Sequence, residues 1–288
     1  MIGGGALLAL AGGAPMWRVA RAMLRALVCG ALLAAGGVGA QSPTDPAPDT
    51  ARAYLVEIDD APVWSHAAAT PLPPASLTKM MTALLVLEAW RPDDVVTANA
   101  AVAAATGSRL GLRVGDRMRL TDLLTGAMIA SANDACIALA IWRDGTEAKF
   151  VARMNARAAA LGLRDTHFTN ACGHHSPAHV STANDLAVLV HVVMAQPIYR
   201  DLARRIDADI ATVDGRRRFH IANRNALIGR YVGAIGVKSG YTPQAGQCIV
   251  AWAMRGEHHV LVVMLGARNR WWDAHALLDR AFASIAMR

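Results

Sequence analysis

Residues 71–85 read PLPPASLTKMMTALL, and one residue in that stretch is out of character with the chain around it. Of 29 basic residues only three are lysines, Lys79, Lys149 and Lys238; every other positive charge is written as arginine. Pro71, Pro73 and Pro74 cannot lie inside a helix, so a helix is expected to start near Ser76 and run to about residue 90, where Pro92 stops it. Ser76 then lies beside free N–H groups at the positive end of the helix dipole. Lys79 follows one turn later on the same face. Met80, Met81, Leu84, Leu85 and Leu87 leave this helix little polar surface, so burial nearly all round is expected. An ammonium is costly there, and burial favours the neutral amine. Arginine does not deprotonate in proteins, so only a lysine can serve as a base at that position. A neutral Lys79 could take the proton of Ser76 and make it a nucleophile. The plain competitor is a surface lysine near a helix start, and the apolar helix counts against it.

Working outward, RAYLVEIDDAPVWSHAA gives two short apolar runs around Asp59 and Asp60, a hairpin signal. Helical patterns fill the middle of the chain, at residues 121–129, 134–142, 146–161 and 182–195. The last of these opens on a Thr182/Asp185 capping box. The final quarter turns to strands in AIGVKSG, QCIVAWAMR and HHVLVVMLGA, and an apolar-faced segment follows at 271–285. Strands at both ends of a helical middle predict one α/β (α+β) domain, whose sheet pairs the N-terminal hairpin with the C-terminal meander. The helices would pack to one side.

At 288 residues the chain has ample length for one large packed domain. Within MWRVARAMLRALVCGALLAAGGVGAQS, Arg18, Arg21 and Arg25 precede an apolar run at 26–38, and small residues lead up to Gln41. That is the pattern of a cleaved signal peptide over residues 1–40, too short to span a bilayer stably. The residues before Met16 carry no charge, which admits Met16 as the start. Cys29 lacks the preceding small residue of a lipidation site. QSPTDPAPDT then reads as a flexible leader, with residues 41–52 ahead of a domain at 53–288. Removing the signal peptide takes away three arginines and no acid, lowering the formal charge from +7 to +4. So mild a balance argues against nucleic acid and suits an anionic polymer at the cell surface. The arginine runs at 204–205 and 216–218 read as solvated surface. Cys136 and Cys248 lie in apolar runs and read as buried small side chains. With Cys172 they make an odd number without close spacing, which speaks against a disulfide framework or a zinc site.

Two further motifs carry chemistry. In IASANDACIAL, Ser131 and Asn133 fall at a break between helical runs, where one turn can aim both into a cleft. Ser131 could relay a proton from Lys79 to a leaving amine, and Asn133 could bond a substrate amide and Lys79 together; a simple helix cap accounts equally for either alone. In GVKSGYTPQAG, Lys238 stands in a strand and Gly240 admits another backbone close to it. Ser239 and the ammonium suit a terminal carboxylate beside a peptide added to the sheet edge, with Lys238 expected as a fixed cation. An edge lysine that blocks aggregation is the alternative.

Taken in order, PPASLTKMMTA, SANDACIALA, STANDLAVL and VKSGYTPQAGQCIVA resemble the penicillin-binding proteins and serine β-lactamases, and the low-molecular-mass D-alanyl-D-alanine carboxypeptidases in particular. The resemblance covers residues 53–288. It implies the DD-peptidase/serine β-lactamase fold, an antiparallel sheet flanked by helices with a helical subdomain. Ser76 would be the nucleophile and Lys79 the base. Ser131, Asn133 and Lys238 would complete the cleft, and Ser239, Gly240 and Tyr241 would line the substrate. Backbone N–H groups of Ser76 and Tyr241 would form the oxyanion hole. Arg270 would assist carboxylate binding, with Arg268 as competitor for that part. The resemblance also implies no cofactor, a periplasmic location, peptidoglycan stem peptides as substrates and β-lactam antibiotics as covalent inhibitors. Membrane association would be peripheral at most, with 271–285 packed on the sheet.

The third motif is Lys-Ser-Gly where the family usually has Lys-Thr-Gly, so the hydroxyl survives and the methyl does not. The chain also stops one helix after the last strand, like the endopeptidase subgroup that cuts D-alanyl cross-links, rather than continuing into a β-rich second domain. A serine β-lactamase is the rival enzyme, but none of Glu57, Glu88, Glu147 and Glu257 has the Glu-x-x-Leu-Asn setting of a deacylating base. A zinc peptidase is suggested by GHHSPAH; Pro177 between His175 and His179 opposes a helix, and no Glu follows His175. A non-catalytic β-lactam sensor would need a membrane segment joining it to a partner.

Overall fold

The apolar runs near the two ends of the chain meet in one sheet. The computed structural model describes residues 45–287, so the expected signal peptide lies outside the described residues. In chain order the elements are β1 (Ala51–Ile58), β2 (Ala61–His66), and α1 (Lys79–Leu87), which is entered through a 3-10 turn at Ala75–Thr78. Then come β3 (Val95–Thr97), α2 (Ala100–Ala103), β4 (Arg117–Arg119), α3 (Leu120–Ile129), α4 (Asn133–Asp144) and α5 (Glu147–Ala160). α6 (Ala183–Met194), α7 (Pro197–Ala203), β5 (Asp207–Ala211) and β6 (Arg218–Ala222) lead to β7 (Ala234–Thr242), β8 (Gly246–Arg255), β9 (His258–Ala267) and α8 (Arg270–Ala286).

The main sheet is antiparallel with order β2-β1-β9-β8-β7, so the N-terminal hairpin joins the C-terminal meander through β1 and β9, as expected. Leu55 stands opposite Val263 and Val56 opposite Val262. Successive strand residues point to opposite faces. Ala53, Leu55, Val250, Leu261, Val263 and Leu265 enter the core shared with the helical body. Tyr54, Val56, Ile249, Ala251, Val262 and Met264 pack with Ala274, Leu277, Leu278, Ala281 and Phe282 of α8. Because both faces are covered, these strands read as unbroken apolar runs rather than alternating ones. α8 therefore spends its apolar face on the sheet. Among the described residues no single helix is long and apolar enough to cross a membrane.

Every residue of α1 is buried, Lys79 included, which makes it the central helix of the body. Three features depart from the sequence reading. Cys136 of α4 and Cys172, in the loop before α6, form a disulfide with a Cα–Cα distance of 6.0 Å, leaving Cys248 as a buried free thiol. An odd cysteine count admits one pair plus one packing residue, and a sequence separation of 36 gives no local sign of pairing. The stretch expected to be a flexible leader is tied down within the described residues: the Asp45 carboxylate accepts from Tyr54 Oη and bonds His66 Nδ1 at 2.8 Å, and β1 already begins at Ala51. The arginine run at 216–218 is only partly solvated. Arg217 pairs with Asp116 and donates to the Gly111 carbonyl at 2.8 Å, fastening the β5–β6 ribbon to the loop before β4. The short ribbons β3–β4 and β5–β6 were not legible, because strands of three to five residues hold too few positions for a period to show.

Candidate active site

The 3-10 turn that carries Ser76 is held against three neighbours. Ala75 sits at φ +49, a left-handed conformation that costs a non-glycine residue about 1–2 kcal/mol. A chain of hydrogen bonds supports it. Thr169 N–H donates to His179 Nδ1 at 3.0 Å, so the His179 proton is on Nε2, which donates to Thr78 Oγ1 at 2.8 Å. Thr78 Oγ1 in turn donates to the Ala75 carbonyl at 2.8 Å. Burial, aided by His167 and His174, pushes the His179 pKa down to about 4, which keeps the ring neutral. Both ring nitrogens are thereby occupied, leaving none for a metal.

Two glycines admit the turn. A Cβ on Gly173, at φ +87, would lie 1.9 Å from the Ala75 carbonyl oxygen. A Cβ on Gly240 of β7 would lie 3.0 Å from Ser76 N and 3.1 Å from the Pro74 carbonyl oxygen. The edge strand β7 thus runs directly beside the Ser76 backbone, the close approach expected of Gly240.

Lys79 Nζ lies 3.0 Å from Ser76 Oγ, 2.7 Å from Asn133 Oδ1 and 2.8 Å from the Cys172 carbonyl oxygen. Burial above all, and the charge of Lys238 after it, holds its pKa well below the ordinary lysine value. A neutral amine has two N–H donors and one lone pair. In that form the two carbonyl-type oxygens can accept both protons, which would leave the lone pair for the Ser76 hydroxyl. That geometry puts the Lys79 amine where a base for Ser76 was expected. Asn133 is held for this purpose: its Nδ2 donates to the Thr106 carbonyl at 2.6 Å and to His174 Nε2 at 3.1 Å, which turns Oδ1 toward Lys79.

Ser131 occupies the break between α3 and α4 at φ +58 and accepts from Lys238 Nζ at 2.9 Å. Lys238, 2% exposed, also donates to the Ser239 carbonyl at 3.0 Å. Burial first, then the Arg270 and Arg224 guanidiniums, bring its pKa down to about 7. Both effects disfavour the charged form of the ammonium that the sequence suggested as a fixed cation. Arg270 Nη1 donates to the Gly240 carbonyl at 2.6 Å, whereas Arg268 is exposed and points to Asp49. Of the two candidates, Arg270 is the one at β7. Ser239 Oγ donates to the Arg224 carbonyl at 3.1 Å, and Tyr241 stands exposed on the same strand. Of the nine expected site residues, Ser76 and Asn133 thus contact Lys79, Ser131 and Ser239 contact Lys238, Gly240 lies against the Ser76 backbone and accepts from Arg270, and Tyr241 follows on the same strand.

The sequence carried little sign of the residues that hold these groups. Asn170 Oδ1 accepts from the backbone N–H of Cys172, Gly173 and His174, which shapes the loop presenting the Cys172 carbonyl. Asp134 accepts from Leu110, Gly111 and Leu112 N–H and ties the loop before β4 to the start of α4. The cluster NACGHH was the available signal, since an Asn and a Gly so close mark a backbone-bonded turn.

A buried lysine in contact with a serine, beside an edge strand that carries a second buried lysine, is the arrangement a nucleophilic serine with a lysine base would need. Residues 40–269 match the model of the D-alanyl-D-alanine carboxypeptidase family, and the chain belongs to that family. It is 34% identical over 240 residues to D-alanyl-D-alanine carboxypeptidase DacF of Bacillus subtilis, covering 80% of this chain and 61% of the relative. It is 33% identical over 289 residues to a D-alanyl-D-alanine carboxypeptidase of Streptomyces sp. strain K15, covering 92% of this chain and 99% of that one. In structure it resembles a penicillin-binding protein homolog, Rv2911, from Mycobacterium tuberculosis, with TM-score 0.78 and 32% identity over 85% of this chain and 95% of the other. The fold expected from the sequence is thus the fold observed.

Proposed function

We propose that this chain hydrolyses D-alanyl peptide bonds of peptidoglycan stem peptides through an acyl-enzyme on Ser76. The observation that carries this reading is the position of Lys79 Nζ, 3.0 Å from Ser76 Oγ, 2.7 Å from Asn133 Oδ1 and 2.8 Å from the Cys172 carbonyl oxygen: as a neutral amine it can give its two N–H groups to the two carbonyl oxygens and turn its lone pair to Ser76. Lys79 removes the Ser76 proton as the oxygen attacks the D-alanyl carbonyl. Backbone N–H groups of Ser76 and Tyr241 receive the oxyanion. Ser131 relays the proton from Lys79 to the departing amine, the C–N bond breaks, and D-alanine leaves. Water then attacks the ester with Lys79 again as base, freeing Ser76. The peptide adds along the open edge of β7. Its terminal carboxylate meets Lys238 and Arg270, and its negative charge favours the protonated form of Lys238. A β-lactam presents a strained amide that mimics the D-alanyl-D-alanine bond, but its leaving amine stays tethered, so the adduct persists.

The disulfide supports action in an oxidising compartment outside the cytoplasm, in keeping with the signal-peptide reading. α8 supports peripheral membrane contact at most, since its apolar face is covered by the sheet. The functional test is incubation of the mature protein with purified pentapeptide monomers and cross-linked dimers. Release of D-alanine from monomers, or conversion of dimers to monomers, is expected. Dimers alone being consumed would assign an endopeptidase. Neither substrate changing would sink the proposal.

A further inference from the structure

Two of the three groups around the Lys79 amine belong to segments joined by the disulfide. Asn133 opens α4 and Cys136 follows one turn later, while Cys172 itself supplies the carbonyl that accepts from Lys79 at 2.8 Å. The same loop sends His174 to the Asn133 side chain at 3.1 Å and lays Gly173 against the Ala75 carbonyl. The loop therefore touches the base, the residue that orients the base, and the turn that carries the nucleophile. Besides these contacts, the loop is held to the rest of the protein by Thr82 Oγ1 donating to the Ala171 carbonyl at 2.6 Å, by Ala171 N–H donating to Glu147 and by the sulfur bridge, while the Asn170 side chain braces it from within. Both cysteines are fully buried, Cys136 at 0% and Cys172 at 1% exposed, so the bridge is a tether inside the core rather than a surface clasp.

We propose that the Cys136–Cys172 disulfide positions the base: by joining the two segments that accept the Lys79 protons, it keeps the lone pair on Ser76 and water away from the amine. The inference rests on the acyl-transfer reading above. The cysteines act through Lys79 and touch no substrate. Substituting Cys172 leaves its backbone carbonyl in the chain, so the change removes the tether without deleting the acceptor.

The test compares the oxidised protein with the double variant Cys136→Ala/Cys172→Ala, all carrying Cys248→Ala so that no third thiol can pair. A third sample is the Cys248→Ala protein refolded under dithiothreitol, which supplies two electrons and two protons to give two thiols and itself closes to a cyclic disulfide. A fourth is that sample reoxidised with oxidised glutathione. Second-order acylation by a fluorescent penicillin is measured from pH 6 to 10, below each sample's own melting temperature. Loss of the tether is expected to slow acylation at neutral pH about 10²-fold, the scale of a 1 Å misplacement. The acidic limb of the profile should also move to higher pH, because burial is the first cause of the low Lys79 pKa and a loosened loop admits water. Reoxidation should restore both. Unchanged rate and limb would overturn the proposal, as would a slower rate whose limb stays in place. An oxidised wild-type protein that never acylates would instead sink the functional reading itself.

Discussion

Replacing Lys79 by arginine separates charge from base. The guanidinium could still donate to Asn133 Oδ1 and to the Cys172 carbonyl, the two acceptors at 2.7 and 2.8 Å. It offers no lone pair to Ser76 Oγ, because arginine stays protonated at every accessible pH. Substrate approach along β7 is untouched, so the loss should fall on the chemical step. General-base removal typically costs on the order of 10²–10⁴-fold in rate, and Lys79→Arg acylation should fall by at least that much. The site is fully buried, so the larger head group also costs about 1–3 kcal/mol in packing. The assay is the second-order acylation rate with a fluorescent penicillin, on folded variants assayed at equal distance below their melting temperatures. Lys238→Arg is the internal comparison: it keeps a cation at the β7 edge and should retain measurable acylation with weakened substrate binding. Near wild-type acylation by folded Lys79→Arg would refute the assignment of Lys79 as base.

Two further outcomes follow from the supports of the Ser76 turn. Gly173→Ala places a Cβ 1.9 Å from a backbone oxygen at a φ of +87, so the loop and the Ser76 turn must part. Acylation should fall at least 10-fold with a lowered melting temperature, and wild-type values for both would contradict the packing described. His179 has a pKa of about 4 in the folded protein against 6.5 ordinarily. Between those values the unfolded chain binds the extra proton, so this contribution is intact above pH 6.5 and is lost as pH falls toward 4. At roughly 1.4 kcal/mol per pH unit the loss is about 3 kcal/mol. Urea midpoints at pH 7 and 4.5 should converge in His179→Gln relative to wild type, and an equal pH dependence in both proteins would remove His179 from the account.

The legible part of the site was the part written in side-chain types at local spacings. Ser76 and Lys79 share one helical turn, Ser131 and Asn133 share one break, and Lys238 to Tyr241 share one strand. Each set was therefore visible within a window of a few residues. The sheet was legible for a similar reason, since VLVVML admits little but a strand covered on both faces. The Cys172 carbonyl was not legible because a backbone acceptor has no residue type. The disulfide was hidden by the third cysteine, which packs in the core as any small side chain would. His179 drew notice only as a metal ligand, although its two nitrogens serve a backbone N–H and a threonine hydroxyl more than a hundred positions apart in the chain at the farther contact. Nothing local in the sequence sets Gly173 apart, since it is the tertiary approach of Ala75 that excludes a side chain there.

The central claim is that Ser76 becomes covalently acylated. Intact-mass measurement of the mature protein after exposure to benzylpenicillin, followed by peptide mapping, tests it most directly. The account predicts one added drug mass, carried by the peptide containing Ser76, persisting long after free drug is removed and absent from Ser76→Ala. Undiminished labelling of folded Ser76→Ala, or an adduct mapping to any other peptide, would contradict it.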